Sequence, residues 1–256
     1  MATLVSASWA QEHIETPGFL LLDPRRPMKY MLGHLKGAVN LPLYKAFDSE
    51  ARLLSPAALA SWIGKAGLGD DVVPVIYDSY DGQNGAMLTW VLEYLGRTDV
   101  HMMDLFFEGW RGERREVFYR PIAPTPRHFT TKTKSRLRAT RGLVSKGGGG
   151  KLVDFRSPEE YTGQLDAGGL GGHIPGAVNL VWKDLVGSDD NYLASKKDLE
   201  RLAASLNLSP GDEVVAYCNT GPRASVGYLA LSQLGYKVRL YDGSFKDWTS
   251  HGLPIE

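Results

Sequence analysis

The sequence predicts an α/β protein made of two tandem copies of one unit, each a mainly parallel sheet with helices on both faces. Three observations carry this. The 256-residue chain repeats itself once, at an offset near 139. Within each copy, short β-branched or apolar runs alternate with longer runs at helical spacing. A segment rich in proline at one end and glycine at the other separates the copies.

The repeat is read from four blocks in one order. Phe19-Leu20-Leu21-Leu22-Asp23-Pro24-Arg25 answers to Leu152-Val153-Asp154-Phe155-Arg156. Gly33-His34-Leu35-Lys36-Gly37-Ala38-Val39-Asn40-Leu41 answers to Gly172-His173-Ile174-Pro175-Gly176-Ala177-Val178-Asn179-Leu180. Val75-Ile76-Tyr77-Asp78 aligns with Val215-Ala216-Tyr217-Cys218, and Asp104, Phe107 and Trp110 with Asp242, Phe245 and Trp248. The largest length change lies between Tyr161 and His173, where Gly168, Gly169 and Gly171 suggest a surface loop.

Taken in order, residues 1–120 form the first domain and 121–137 the connector, with Pro121, Pro124 and Pro126 disfavouring a long regular element. Residues 138–256 form the second domain. There 138–146 is a candidate short helix, the counterpart of Ala7–Ile14. Lys151–Phe155 reads as a strand, and Lys197–Leu206 as a helix with Leu199, Leu202 and Leu206 at helical spacing. Glu213–Tyr217 is a β-branched and aromatic strand. Ala224–Leu234 reads as a helix stopped by Gly235, and Val238–Tyr241 as a further strand. At about 120 residues, each half is long enough to bury its own core.

Composition narrows the function. The chain has 29 basic and 29 acidic residues, so it is not a globally basic nucleic-acid binder. The charge is unevenly spread. Residues 126–151 hold eight basic residues and no acidic one, between halves with 12 basic against 15 acidic and nine against 14. The connector therefore reads as an electrostatic strap across both domains, or as a site for an acidic partner. No stretch reaches the ~20 apolar residues of a membrane span. Met1 to Pro17 has neither a basic start nor an apolar core, so no secretory signal is expected and the cytoplasm is the default. A single cysteine forbids an internal disulfide and any metal site needing two thiolates.

That cysteine, Cys218, follows the strand ending at Tyr217 and opens the loop Cys218-Asn219-Thr220-Gly221-Pro222-Arg223 before a helix. Ligand sites gather at the carboxyl ends of parallel strands. Free N–H groups and the positive end of the dipole at a helix start favour an anion. A thiolate there gains only a few-fold in reactivity, because a weaker base is a weaker nucleophile. A donor aimed at developing negative charge contributes ~100-fold or more. From position alone, a reactive thiol and a structural cysteine at a strand end stand level.

These residues resemble the two-domain members of the rhodanese sulfurtransferase family. The resemblance spans nearly the whole chain. It rests on Asp154-Phe155-Arg156, the Gly172–Asn179 block, the loop 218–223, Asp242-Gly243-Ser244-Phe245 with Trp248, and the ending Gly252-Leu253-Pro254. It implies two tandem rhodanese-like domains, the second catalytic and the first inactive. It implies that the Cys218 thiolate takes the outer sulfur of thiosulfate, releases sulfite and passes sulfur from a persulfide to cyanide or a thiol. Neither a metal nor an organic cofactor is implied. Partners would be a small sulfur donor and a thiophilic acceptor, with no nucleic acid and no membrane. A monomer is expected, the two halves burying each other's faces. A 3-mercaptopyruvate sulfurtransferase and a carrier that hands persulfide sulfur to a protein remain the alternatives.

The resemblance also assigns roles. Arg223, Arg156, Asn219, Thr220, Gly221 and Ala224 would bind substrate, through guanidinium charge or loop donors. Each arginine has a plain reading as well. Arg223 would lock the loop by a salt bridge, and Arg156 would pair with a carboxylate such as Glu160. Pro222 has no N–H, which leaves the ring of loop donors one short. Arg223 stands five positions after Cys218, whereas rhodanese-like phosphatases and arsenate reductases carry a longer loop with the arginine six positions on. His173 reads as fixing a turn, because His34 stands in the same turn of the half without cysteine. Asp78 replaces the cysteine in that half and cannot form a persulfide. Phe245 and Trp248 read as core.

Overall fold

The computed structural model describes residues 1–165, 171–188, 190–209 and 211–256. The chain forms two compact units. One comprises Met1–Lys134 with Ser188–Tyr192; the other comprises Ser135–Gly187 with Leu193–Glu256.

In the first unit, strands β1 (Thr3–Val5), β2 (Phe19–Asp23), β3 (Val39–Asn40), β4 (Val73–Ile76) and β5 (His101–Met103) are all parallel, in the order β1-β5-β4-β2-β3. In the second, β6 (Lys151–Asp154), β7 (Val178–Asn179), β8 (Glu213–Tyr217) and β9 (Lys237–Leu240) are parallel in the order β7-β6-β8-β9. The two orders coincide strand for strand, except that β1 has only a bridge as its counterpart. Arg138 pairs with Leu240 there, and the Ala139 N–H donates to the Leu240 carbonyl at 2.9 Å.

The central strand β8 is apolar along its length because both its faces are covered. Val215 and Tyr217 point to one side, against Ala139, Val144, Phe245 and Trp248. Val214 and Ala216 point to the other and are fully buried; helix Pro222–Gln233 packs on this strand. That helix is apolar nearly all round, as a core helix must be. Its approach to the sheet depends on Gly227, where a Cβ would fall inside the Phe155 ring. The outer helix Lys196–Ser205 buries Leu199 and Ala203 and exposes its charges. Ser195 caps it by accepting from the Asp198 N–H at 3.2 Å.

Most strand and helix ends fall within a residue or two of expectation; the candidate helix 138–146 is shorter, Arg141–Val144, after a separate turn at Ser135–Leu137. Pro222 begins its helix two residues earlier than the sequence suggests. Proline suits the first helical position, where no partner for an N–H is needed. The connector hydrogen-bonds with the first unit. Arg127 donates to the Gly64 carbonyl and pairs with Asp71, and Lys132 and Lys134 donate to the carbonyls of Leu95 and Tyr94. From Arg138 onward, partners belong to the second unit: Asp242 for Arg138 at 2.7 Å and Asp247 for Arg141 at 2.7 Å.

The first unit also takes in a short piece of the second repeat. Tyr192 is buried, its hydroxyl donates to the Gly82 carbonyl, and the Phe106 N–H donates to the Asp190 carbonyl at 2.8 Å. Nothing in the repeat pattern marks this segment. Gly168 and Gly169 of the expected surface loop lie outside the described residues.

Candidate active site

Cys218 sits at the carboxyl end of β8 and is 1% exposed. The Gly221 N–H points at its sulfur, with N···S at 3.1 Å. Gly221 has φ +105°, a conformation that aims this N–H back into the loop and that side chains other than glycine's rarely permit. The Cys218 N–H donates to Ser244 Oγ at 3.1 Å, and the Ser244 hydroxyl donates to the Tyr241 carbonyl at 2.7 Å. The loop's carbonyls are held as well, by the Phe245 N–H on Cys218 and the Lys246 N–H on Asn219, both at 3.0 Å. The thiol is therefore fixed over a helix start of 12 residues by neighbours on two sides.

The remaining loop residues line up beside it. Asn219 and Thr220 are half-buried next to Cys218, and Ala224 is fully buried in the first turn of the helix. Pro222 lies at the first helical position, so its missing N–H removes a donor that this helix would not use internally.

The two arginines part company. Arg156 is 3% exposed; its Nε and Nη2 donate to Asp154, the shortest contact being 2.6 Å, and Nη2 also donates to the Gly172 carbonyl at 2.7 Å. Its guanidinium lies 4.0 Å above the Phe245 ring. The carboxylate partner is thus Asp154, where the sequence reading offered Glu160. Arg25 repeats this in the first unit, on Asp23, the Gly33 carbonyl and the Phe107 ring. An arrangement shared with the half that lacks cysteine reads as a brace for the sheet end. Arg223 instead forms a two-pronged pair with Glu160, at 2.5 and 2.8 Å.

Glu160, the carboxylate the sequence offers to Arg156, is thus the partner of Arg223. Burial opposes its charge, but the Arg223 guanidinium and the Ser157 N–H together hold its carboxyl below the usual carboxylate range. It also closes a capping box with Ser157 at the start of helix Pro158–Tyr161. That box, Ser157-x-x-Glu160 ahead of a helix, is the local sequence signal that places Glu160 at a helix start.

His173 keeps to its turn. Nδ1 lies 3.0 Å from the Tyr161 carbonyl, and its ring stacks on Tyr161 with centroids 3.8 Å apart. His34 does the same with Tyr30, at 3.0 and 3.9 Å. A tyrosine that sequence reasoning passed over completes each turn. Tyr217 accepts from the Ile174 N–H at 3.2 Å, and Tyr77 accepts from the Leu35 N–H at 3.2 Å. Burial and the neighbouring Asp154 push the Tyr217 hydroxyl up, keeping it protonated.

In the first unit Asp78 occupies the cysteine's position and is fully buried. Its carboxyl accepts from the Ser79 N–H at 2.8 Å and the Gly85 N–H at 2.7 Å, so the side chain fills the cradle itself. Burial and then the charge of Asp81 push this carboxyl up to about 7.

Among the described residues, no group of three or more His, Cys, Asp or Glu side chains is arranged to hold a metal ion. Nor is any helix there long and apolar enough to cross a membrane.

Comparison with known proteins gives the family and the fold. The family described as the rhodanese-like domain matches residues 6–113 and 140–251. A thiosulfate sulfurtransferase of Corynebacterium glutamicum is 31% identical, over 99% of this chain and 90% of that protein. The sulfur carrier protein TtuD of Thermus thermophilus is 32% identical, over 98% and 95%. The crystal structure of SseA from Escherichia coli, described among 3-mercaptopyruvate sulfotransferases, superposes with a TM-score of 0.84 at 24% identity, over 96% of this chain and 99% of that one.

Proposed function

The chain belongs to the rhodanese family of sulfurtransferases, and within it we propose that this protein moves sulfane sulfur from thiosulfate to a thiophilic acceptor through a persulfide on Cys218. The observation that carries this is the Gly221 N–H aimed at the Cys218 sulfur at 3.1 Å over a helix start.

In the first step the Cys218 thiolate attacks the outer sulfur of thiosulfate. A new S–S bond forms, the old one breaks, and sulfite leaves with the electron pair. In the second step an acceptor such as cyanide attacks the outer persulfide sulfur and returns the thiolate. Two half-reactions through one covalent intermediate give ping-pong kinetics. Loop amides stabilise the sulfur anion at both stages. Asn219, Thr220, Gly221 and Ala224 surround the transferred atom in this scheme. Arg223 faces the same region with its charge met by Glu160, and Arg156 acts through Asp154 as support for the strand end. The two proposed domains divide the work, with the second carrying the chemistry.

The test is thiocyanate formation from thiosulfate and cyanide. Activity is expected in the wild type and is expected to vanish in Cys218→Ser; a variant that kept full activity would overturn the scheme. The Thermus relative named as a sulfur carrier favours one second reading, transfer to a protein acceptor. There, a partner protein would discharge the persulfide faster than cyanide does. Comparing kcat/KM for thiosulfate and 3-mercaptopyruvate decides the donor.

A further inference from the structure

Two ion pairs flank the strand end and loop that carry Cys218, Asp154–Arg156 and Glu160–Arg223; the segment packed against the loop adds Lys246, Asp242 paired with Arg138 and Asp247 paired with Arg141. The first pair recurs in the other unit as Asp23–Arg25. The second does not. By the repeat alignment, Lys29 stands at the position of Glu160 and Gly85 at that of Arg223. Lys29 is exposed, whereas Glu160 is 6% exposed. The Glu160–Arg223 pair thus travels with the cysteine and is absent from the cradle that Asp78 fills.

Its position is also specific. Arg223 is the second residue of the helix whose start holds Cys218, and Glu160 ties it to the capped start of helix Pro158–Tyr161. The pair is largely enclosed, with side chains 23% and 8% exposed, so solvent screens it little. A bidentate pair of this kind fixes geometry and cancels charge together.

We propose that Glu160 is a positioning and specificity residue: by neutralising Arg223 it braces the Cys218 loop while withholding the guanidinium's charge from the thiol and from anionic sulfur donors. This rests on the sulfurtransferase reading for its substrate half only. Arg223 stands in the first turn of the helix that the Cys218 loop opens, five residues after the cysteine, so its charge sits at the same helix start as the thiol.

A double-mutant cycle tests it on the full-length protein, using Glu160→Gln, Arg223→Gln and the double variant. Glutamine keeps the shape of Glu160 and its place in the capping box. Two quantities are read: the pH midpoint of iodoacetamide alkylation, which reports on Cys218 because it is the one cysteine in the chain, and KM with kcat for thiosulfate. In Glu160→Gln the unmasked guanidinium lowers the midpoint, raising alkylation at pH 6 by about three- to tenfold, and lowers KM for thiosulfate by a similar factor. Arg223→Gln shifts both the other way. The double variant, neutral again, returns to within about twofold of wild type.

The proposal is overturned if the singles move in the same direction, or if the double is worse than either single, since a simple brace behaves that way. Should wild type take no sulfur from thiosulfate, the sulfurtransferase reading fails while the alkylation midpoints still decide the role of Glu160.

Discussion

Cys218 and Asp78 occupy the same position in two copies of one unit, and their surroundings explain their different fates. Each lies at the end of a central parallel strand, ahead of a 12-residue helix. In one cradle the Gly221 N–H points at a sulfur; in the other the Ser79 and Gly85 N–H groups are taken by a carboxylate. Asp78 carries a stability consequence with a definite sign. Its folded carboxyl is pushed up to about 7, above the ~3.9 of an unfolded aspartate. The folded state therefore holds the proton more tightly. The contribution is fully present below the unfolded value and is lost as pH rises through the folded one. Between roughly pH 4 and 7 unfolding free energy should fall by up to ~1.4 kcal/mol per pH unit from this group. Asp78→Asn cannot ionise, so urea denaturation across that range should show a flatter slope, whatever its absolute stability. An unchanged slope would contradict the assignment.

At the level of elements, the legible features were those set by periodicity and punctuation. The strand Glu213–Tyr217 was read to the residue because its β-branched and aromatic run ends at a polar loop. The helix after it was read two residues short, because Pro222 looks like a loop residue and is in fact a helix-starting one. The cysteine loop was legible as a strand–loop–helix junction. The partner of its arginine, Arg223, is not, since an ion pair between residues 63 apart depends on the fold. Ser244 falls within the Asp242–Phe245 motif, yet its grip on the Cys218 N–H follows from a backbone with φ +55° that no local pattern announces. Helix packing gives a prediction here. Gly227→Ala places a methyl group inside the Phe155 ring, so the helix or the ring must shift. Such overpacking costs about 1–3 kcal/mol. Thermal denaturation should show the loss, and a wild-type melting temperature would mean the helix lies farther from the strand.

Across the whole molecule, a net charge of zero conceals a basic connector between two acidic halves. Within the basic stretch 126–151, Arg127 pairs with Asp71 in the first unit, and Arg138 with Asp242 and Arg141 with Asp247 in the second. These pairs should differ in weight. Asp242 is 5% exposed, and burial pushes its carboxyl up against the opposing pull of Arg138. Arg138→Met strands that carboxylate and should cost about 1–3 kcal/mol. Arg141→Met breaks a more exposed pair and should cost less than about 1 kcal/mol. Equal losses in chemical denaturation would argue against the burial account.

The duplication gives the chain two cradles and one thiol, and the central claim is that this thiol carries the sulfur. Intact-protein mass spectrometry after incubation with thiosulfate measures it directly. The wild type should gain the mass of one sulfur atom and lose it on adding cyanide, and Cys218→Ser should gain none. A wild-type chain with no adduct, or a Cys218→Ser chain that still takes one, would contradict it.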